Sequence, residues 1–144
     1  MSSFNSTHSY LKKRGILGPW KIKPLINRTF NQAIVIPAYS EFKFLPKTLE
    51  SINKNKPELL NQTLVAVVIN NANNSPQSVK ENNHLTLQNL NSNNYQFTLA
   101  AVDAASSGFE LPLKHAGVGL ARKIGMDLAL PHLTSPQSII FCTD

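Results

Sequence analysis

The chain has 144 residues, enough for one domain, and its 42% hydrophobic content can fill a core in a fold that buries roughly 70% of its unfolded surface. A net charge of +6 and a pI near 9.6 favour anionic partners such as nucleotides or an anionic membrane, while the lack of a helix-turn-helix, zinc finger or stacking-platform pattern argues against nucleic acid. The single cysteine, Cys142, excludes an internal disulfide and a cysteine-based zinc site, and the longest apolar run, Leu64 to Ile69, is far short of the ~20 residues that span a bilayer.

Residues 1–30 read as a basic N-terminal arm with a short helix around Tyr10 to Arg14. Lys12, Lys13, Arg14, Lys21, Lys23 and Arg28 lie there with no acid among them. Such a run is either a solvated arm or a contact to a membrane surface or partner domain. With no signal-peptide core and one cysteine, the expected location is cytoplasmic, with membrane association through the arm as an option.

From residue 31 to 144 the pattern is regular. Ala33-Ile34-Val35-Ile36 is a buried strand, which Pro37 is expected to end because it cannot donate to a central ladder. Phe44 to Lys54 reads as a helix with Phe44, Leu45, Leu49 and Ile52 on one face and Pro46 in its first turn. Leu64 to Ile69 is a second strand. Ser75-Pro76 suggests a helix start, serine as cap and proline first in the helix, with Val79, Leu85, Leu87 and Leu90 as its apolar side. Phe97 to Val102 is a third strand, followed by a loop to Ala116. Gly117 to Leu130 is a helix striped by Val118, Ala121, Ile124 and Leu128, and Ser138 to Thr143 is a fourth strand. Unbroken Val/Ile-rich strands alternating with helices predict an α/β fold: a Rossmann-like parallel sheet covered on both faces. The sheet closes on a strand with no helix after it, so the expectation is a domain incomplete at its C-terminus.

In such sheets ligands bind beyond the carboxyl ends of the strands. Those ends are Pro37 to Glu41, Asn70 to Asn74, Asp103 to Ser107, and Asp144. Tyr39 and Glu41 are suited to a base or ribose. Asp144 is suited to a hard cation on phosphate oxygens. Lys114, His115 and Arg122 flank the glycines that open the last helix and can face an anionic leaving group. Arg122 stands where a dinucleotide fingerprint needs its third glycine, which argues against a dehydrogenase. The four histidines have no metal-ligand spacing, and no Walker loop or nucleophile elbow is present.

Together these segments resemble the family 2 glycosyltransferases of the GT-A fold, over about Gln32 to Asp144. Ala33 to Glu41 is similar to the family's opening strand and Pro-x-Tyr-Asn-Glu turn, with Ser40 in place of Asn. Phe44 to Ile52 resembles the next helix. Gly119, Ala121, Arg122, Lys123 and Gly125 resemble its Gly-x-x-x-Ala-Arg-Asn-x-Gly helix, and Ile139 to Asp144 resembles the strand leading into Asp-x-Asp. The resemblance implies a donor domain that binds a nucleotide-diphosphate sugar through Pro37, Ala38, Tyr39 and Glu41, with Arg122 nearby. It implies a divalent cation, Mn²⁺ or Mg²⁺, held first by Asp144. Where the family carries acids after the second strand, this chain has Asn70 and Asn71, which can bond a base edge without charge. The second metal-site acid and the general base of an inverting transfer fall outside the sequence, as does the acceptor region. The expectation is therefore donor binding without turnover. The alternative is a non-catalytic α/β module that contacts a protein or an anionic membrane.

Overall fold

The computed structural model describes residues 2–90, 95–135 and 137–143. Five strands form one sheet: β1 (Ile22–Lys23), β2 (Gln32–Ala38), β3 (Thr63–Asn70), β4 (Thr98–Ala104) and β5 (Ile139–Cys142). The helices are α1 (Ser2–Arg14), α2 (Leu45–Asn53), α3 (Pro57–Leu60), α4 (Gln77–Leu90) and α5 (Val118–Ala129), with single 3₁₀ turns at Leu113–His115 and Leu130–His132. The strand order is β1-β4-β3-β2-β5. β2 to β5 run parallel, and β1 pairs antiparallel with β4 through Ile22–Val102 and Lys23–Ala101. The sheet is thus mixed, not wholly parallel as its sequence pattern predicts.

The path through the sheet reverses once. From β2 the chain steps to β3 and β4 in one direction, then returns past them to place β5 on the other side of β2. Right-handed crossovers require a reversal to change faces. Accordingly, α2 and α4 pack on one face, with Leu45, Leu49 and Leu90 against Ile36, Val65, Val67 and Ile69. α5 packs on the other, with Ala121 and Ile124 against Val35, Val68 and Val102. Gly125 lets α5 come close: a Cβ there would sit 2.4 Å from Val35 Cγ1 and 2.9 Å from Val68 Cγ2. Every residue of β3 is buried, since it has a strand on each side and helices on each face. Each aliphatic side chain so buried contributes roughly 1.5–3 kcal/mol.

Several local expectations change. Pro37 does not end β2; it lies inside it, opposite Val68. Thr143 N–H donates to the Val35 carbonyl at 3.2 Å, so Val35 and, two residues on, Pro37 turn their backbone groups toward β5. β5 ends opposite Val35, so the ladder on that side closes before it needs a donor from Pro37. Phe44 is 61% exposed at the α2 N-cap, while Leu45 and Leu49 supply the buried face. Ser75 does not cap α4: its Oγ accepts the Ala72 N–H at 3.0 Å, and the helix begins at Gln77. The buried side of α4 is Asn83, Thr86 and Leu90, whereas Leu85 is exposed.

The segment before β2 joins the same core through Ile16, Trp20, Ile22, Ile26 and Phe30. α1 runs the full length from Ser2 to Arg14. Beyond it, Trp20 and Phe30 are buried, and Trp20 Nε1 donates to the Phe109 carbonyl at 2.8 Å. Phe30 bridges to Leu133, its N–H bonding the His132 carbonyl at 2.7 Å. Among the described residues, no helix is long and apolar enough to cross a membrane.

Candidate functional site

Strand order reverses at β2, with β3 on one side and β5 on the other, and ligands of open α/β sheets bind at such a reversal, in the crevice beyond the carboxyl ends of the strands. Each helix that follows a parallel strand must run back antiparallel to it. The first turns of α2, α4 and α5 therefore face this end of the sheet, and the positive ends of their dipoles favour anions.

The turn after β2 forms one wall. Pro37 and Ala38 are buried within the strand, so their contribution to this wall is backbone and shape. Tyr39 is 48% exposed and Glu41 is half-buried, and both offer side chains to solvent. Between them Ser40 has φ 57°, the left-handed conformation that asparagine tolerates better than serine. The turn is held from α4: Ser40 N–H donates to Asn83 Oδ1 and Phe42 N–H to Asn82 Oδ1, both at 3.0 Å. The Glu41 carbonyl accepts the N–H groups of Phe44 and Leu45, which starts α2.

The floor is made of asparagine. Asn70 and Asn71 are 3% and 1% exposed. Asn70 Nδ2 donates to the Ala38 and Val68 carbonyls, each at 3.2 Å, and so ties the end of β2 to β3. Asn71 Nδ2 donates to the Ala72 and Ala105 carbonyls at 3.1 and 3.3 Å, tying β3 to the loop after β4. Asn83 closes the set, donating to the Asn70 carbonyl at 2.9 Å and to Asn71 Oδ1 at 2.8 Å. Asn70 and Asn71 thus sit beneath the crevice with their amides engaged on the chain itself. Asn82 and Asn83 lie outside the residues that the strand-end rule singles out. A usable signal existed: Asn83 falls four residues after Val79 and seven before Leu90, in the stripe that a helix buries.

The loop after β4 is shaped by Asp103, whose Oδ1 accepts the N–H groups of Ala105 and Ser106 at 3.0 and 2.9 Å. It continues to Lys114 and His115, both exposed on the 3₁₀ turn, and to Gly117 at φ 140°, a conformation open to glycine. Arg122, half-buried, follows in the second turn of α5. Asp144, the residue expected to hold a cation, lies outside the described residues. Among the described residues no three His, Cys, Asp or Glu side chains come together as a metal group.

A cavity of about 540 Å³ opens elsewhere, at the amino ends of β2 and β5 beneath α1, walled by Leu11, Leu130, Pro131 and Leu133 with hydroxyls from Thr134 and Ser138. His8 also lines it, and no Lys, Arg, Asp or Glu does. The candidate site is assigned by topology and by the side chains presented, not by volume.

The carboxyl end of the sheet carries an aromatic ring and a carboxylate on the turn after β2, three helix N-termini, and basic residues on the loop and helix after β4. That set can stack on a base, accept hydrogen bonds from hydroxyls and balance phosphate charge. No family model matches the chain, and neither the curated proteins nor the solved structures include a match.

Proposed function

We propose that this chain is the donor-binding domain of a glycosyltransferase and that it binds a nucleoside diphosphate sugar in the crevice between β2 and β5. The observation that carries the reading is the reversal of strand order at β2, with the Tyr39–Glu41 turn at its mouth. In this reading Tyr39 stacks on the base and Glu41 accepts from the ribose or base. Pro37 and Ala38 shape the strand end against which the nucleotide lies. Asn70 and Asn71 act as positioning residues, because their amides brace the ends of β2, β3 and β4. Lys114 and Arg122 lie on the loop and helix that bring positive charge toward the diphosphate.

The cation of the resemblance, Mn²⁺ or Mg²⁺, belongs to Asp144 and would offset charge on the departing diphosphate. The reading rests on the nucleotide contacts alone and asks for no turnover by these residues. The glycosyl acceptor is left to parts of an active enzyme other than this crevice.

The test is calorimetric titration with UDP, GDP and CDP, each with and without Mn²⁺. One of them binds saturably, and Tyr39→Ala weakens it by roughly ten-fold, as expected when base stacking worth ~1–3 kcal/mol is lost. Tyr39 is 48% exposed, so the substitution leaves the core intact. Failure of all three nucleotides to bind the folded protein would overturn the reading. A second reading, an α/β binding module without turnover, draws on the burial of Asn70 and Asn71 where the resemblance has acids. It predicts that same failure.

A further inference from the structure

The net charge of this protein comes from one stretch of chain. Six of its 14 Lys and Arg residues precede residue 41, where the first acid appears, and the eight that remain balance the 8 Asp and Glu residues. The whole net charge of +6 therefore belongs to the first 40 residues. In the fold, Lys12, Lys13 and Arg14 lie on α1, Lys21 and Lys23 lie at β1 on the sheet edge, and Arg28 precedes β2 and donates to the Asn61 carbonyl.

The same stretch carries the two most exposed large apolar side chains among the described residues, Leu17 at 92% and Leu25 at 85%. They flank β1, and the residues between them alternate. Trp20 is buried and Ile22 half-buried against the core, while Lys21 and Lys23 point outward. Lys12 and Lys13 are exposed on α1. The segment is held in place from inside. Trp20 bonds the Phe109 carbonyl, and Asp127 accepts the Ile16 N–H and the Tyr10 hydroxyl, each at 2.9 Å. Leu17, Lys21, Lys23 and Leu25 thus project from a fixed stretch of backbone at the β1 edge, which follows α1 in the chain.

Lysines on an edge strand also discourage pairing with a second sheet, which accounts for the charge. It does not account for leucines that bury almost nothing. Apolar side chains set among lysines are what a monotopic contact to an anionic bilayer uses: lysines meet the headgroups and leucines enter the acyl boundary. A single-stranded nucleic acid would instead need exposed aromatic rings for stacking, and on this edge Trp20 is turned into the core.

We propose that the α1–β1 edge is a membrane-docking surface for anionic phospholipid, with Leu17 and Leu25 as the inserting residues and Lys12, Lys13, Lys21 and Lys23 as the headgroup contacts. The proposal is independent of nucleotide binding in the crevice.

The experiment is vesicle co-sedimentation of the full chain with phosphatidylcholine alone and with an equal mixture of phosphatidylcholine and phosphatidylglycerol. Binding is expected to the mixed vesicles only. Replacing the four lysines by glutamine lowers the partition coefficient by on the order of a hundred-fold or more. The double variant L17S/L25S lowers it by about ten-fold or more, from the lost burial of two leucines. These side chains are exposed, and the near-ultraviolet signal of buried Trp20 reports whether each variant keeps its fold. No binding by the unmodified protein, equal binding to both vesicle types, or full binding by a folded L17S/L25S variant would each overturn the proposal. So would tight binding of a single-stranded RNA oligonucleotide in place of the vesicles.

Discussion

The side chain of Asn83 places both amide hydrogens and its oxygen on three partners: the Asn70 carbonyl, Asn71 Oδ1 and the Ser40 N–H. It does so at 0% exposure, where no water can replace a lost bond. An unmet buried donor or acceptor costs about 1–3 kcal/mol, more than the net gain from one formed hydrogen bond. Asn83→Ala strands all three partners and also opens a gap beneath the crevice. We expect it to destabilise the fold by about 3 kcal/mol or more, read as the shift in a urea melt. Asn83→Asp keeps the shape but loses the two donors, so its cost should be comparable. A loss below about 1 kcal/mol in both variants would mean that this network is not what holds the site. Asn70 and Asn71 were legible in the sequence as residues at a strand end. Their burial was not, because an asparagine at a carboxyl edge has the same pattern whether its amide faces a ligand or its own backbone. The Tyr39–Glu41 turn was legible because it follows an apolar run that had to be a strand.

At the level of elements, what the sequence made plain was whatever is long and apolar. β2 to β5 and α2, α4 and α5 all follow from runs or stripes of hydrophobic residues. β1 has two residues and α3 has four, too few for any period to show. The buried face of α4 departs from its hydrophobic pattern for a related reason: Asn83 and Thr86 occupy buried positions that the pattern reserves for apolar side chains. The docking of α1 depends on one carboxylate in the same way. Asp127 is 4% exposed and accepts from Tyr10, Ile16 and Lys123, the last at 2.8 Å. Lys123 also donates to the Arg14 carbonyl at 2.8 Å. Its pKa is raised above the ordinary 10.5, chiefly by the hydrogen bond to Asp127, which outweighs the lowering from burial, with Tyr10 adding to the rise. A raised lysine value means that the stabilisation is complete at neutral pH and is lost as pH climbs past 10.5 through the folded value. The contribution is modest, because the Lys123 side chain is 41% exposed. We expect Asp127→Asn to speed amide exchange across residues 8–14 while leaving β3 protected, and to flatten the alkaline part of the stability profile. Unchanged exchange in α1 would show that the helix is held by other contacts.

For the molecule as a whole, the question is whether the basic segment is an appendage or part of the fold. Composition suggests an appendage: six cations, several glycines and prolines, and no sustained period. Packing argues otherwise, because only a few residues of the segment face inward and those few are large. Phe30 is 0% exposed and Trp20 is 8% exposed, and Ile22 packs beside them. Truncating a buried Phe or Trp typically costs about 3–5 kcal/mol, against a total stability of only 5–15 kcal/mol for an ordinary domain. Losing both residues, together with β1 and the backbone bonds of Phe30 to His132 and Thr134, should exceed what the remaining sheet can bear. Deleting residues 1–30 is therefore expected to abolish the cooperative thermal transition. Deleting residues 1–14 removes α1 but keeps Trp20, β1 and Phe30, so a cooperative transition should survive, lowered by about 1–3 kcal/mol for the Tyr10 hydrogen bond lost at buried Asp127. Calorimetry of the two truncations separates the possibilities. If both melt like the full chain, the segment is an arm after all. If only the longer deletion fails, the basic edge is carried by the same core that braces the crevice.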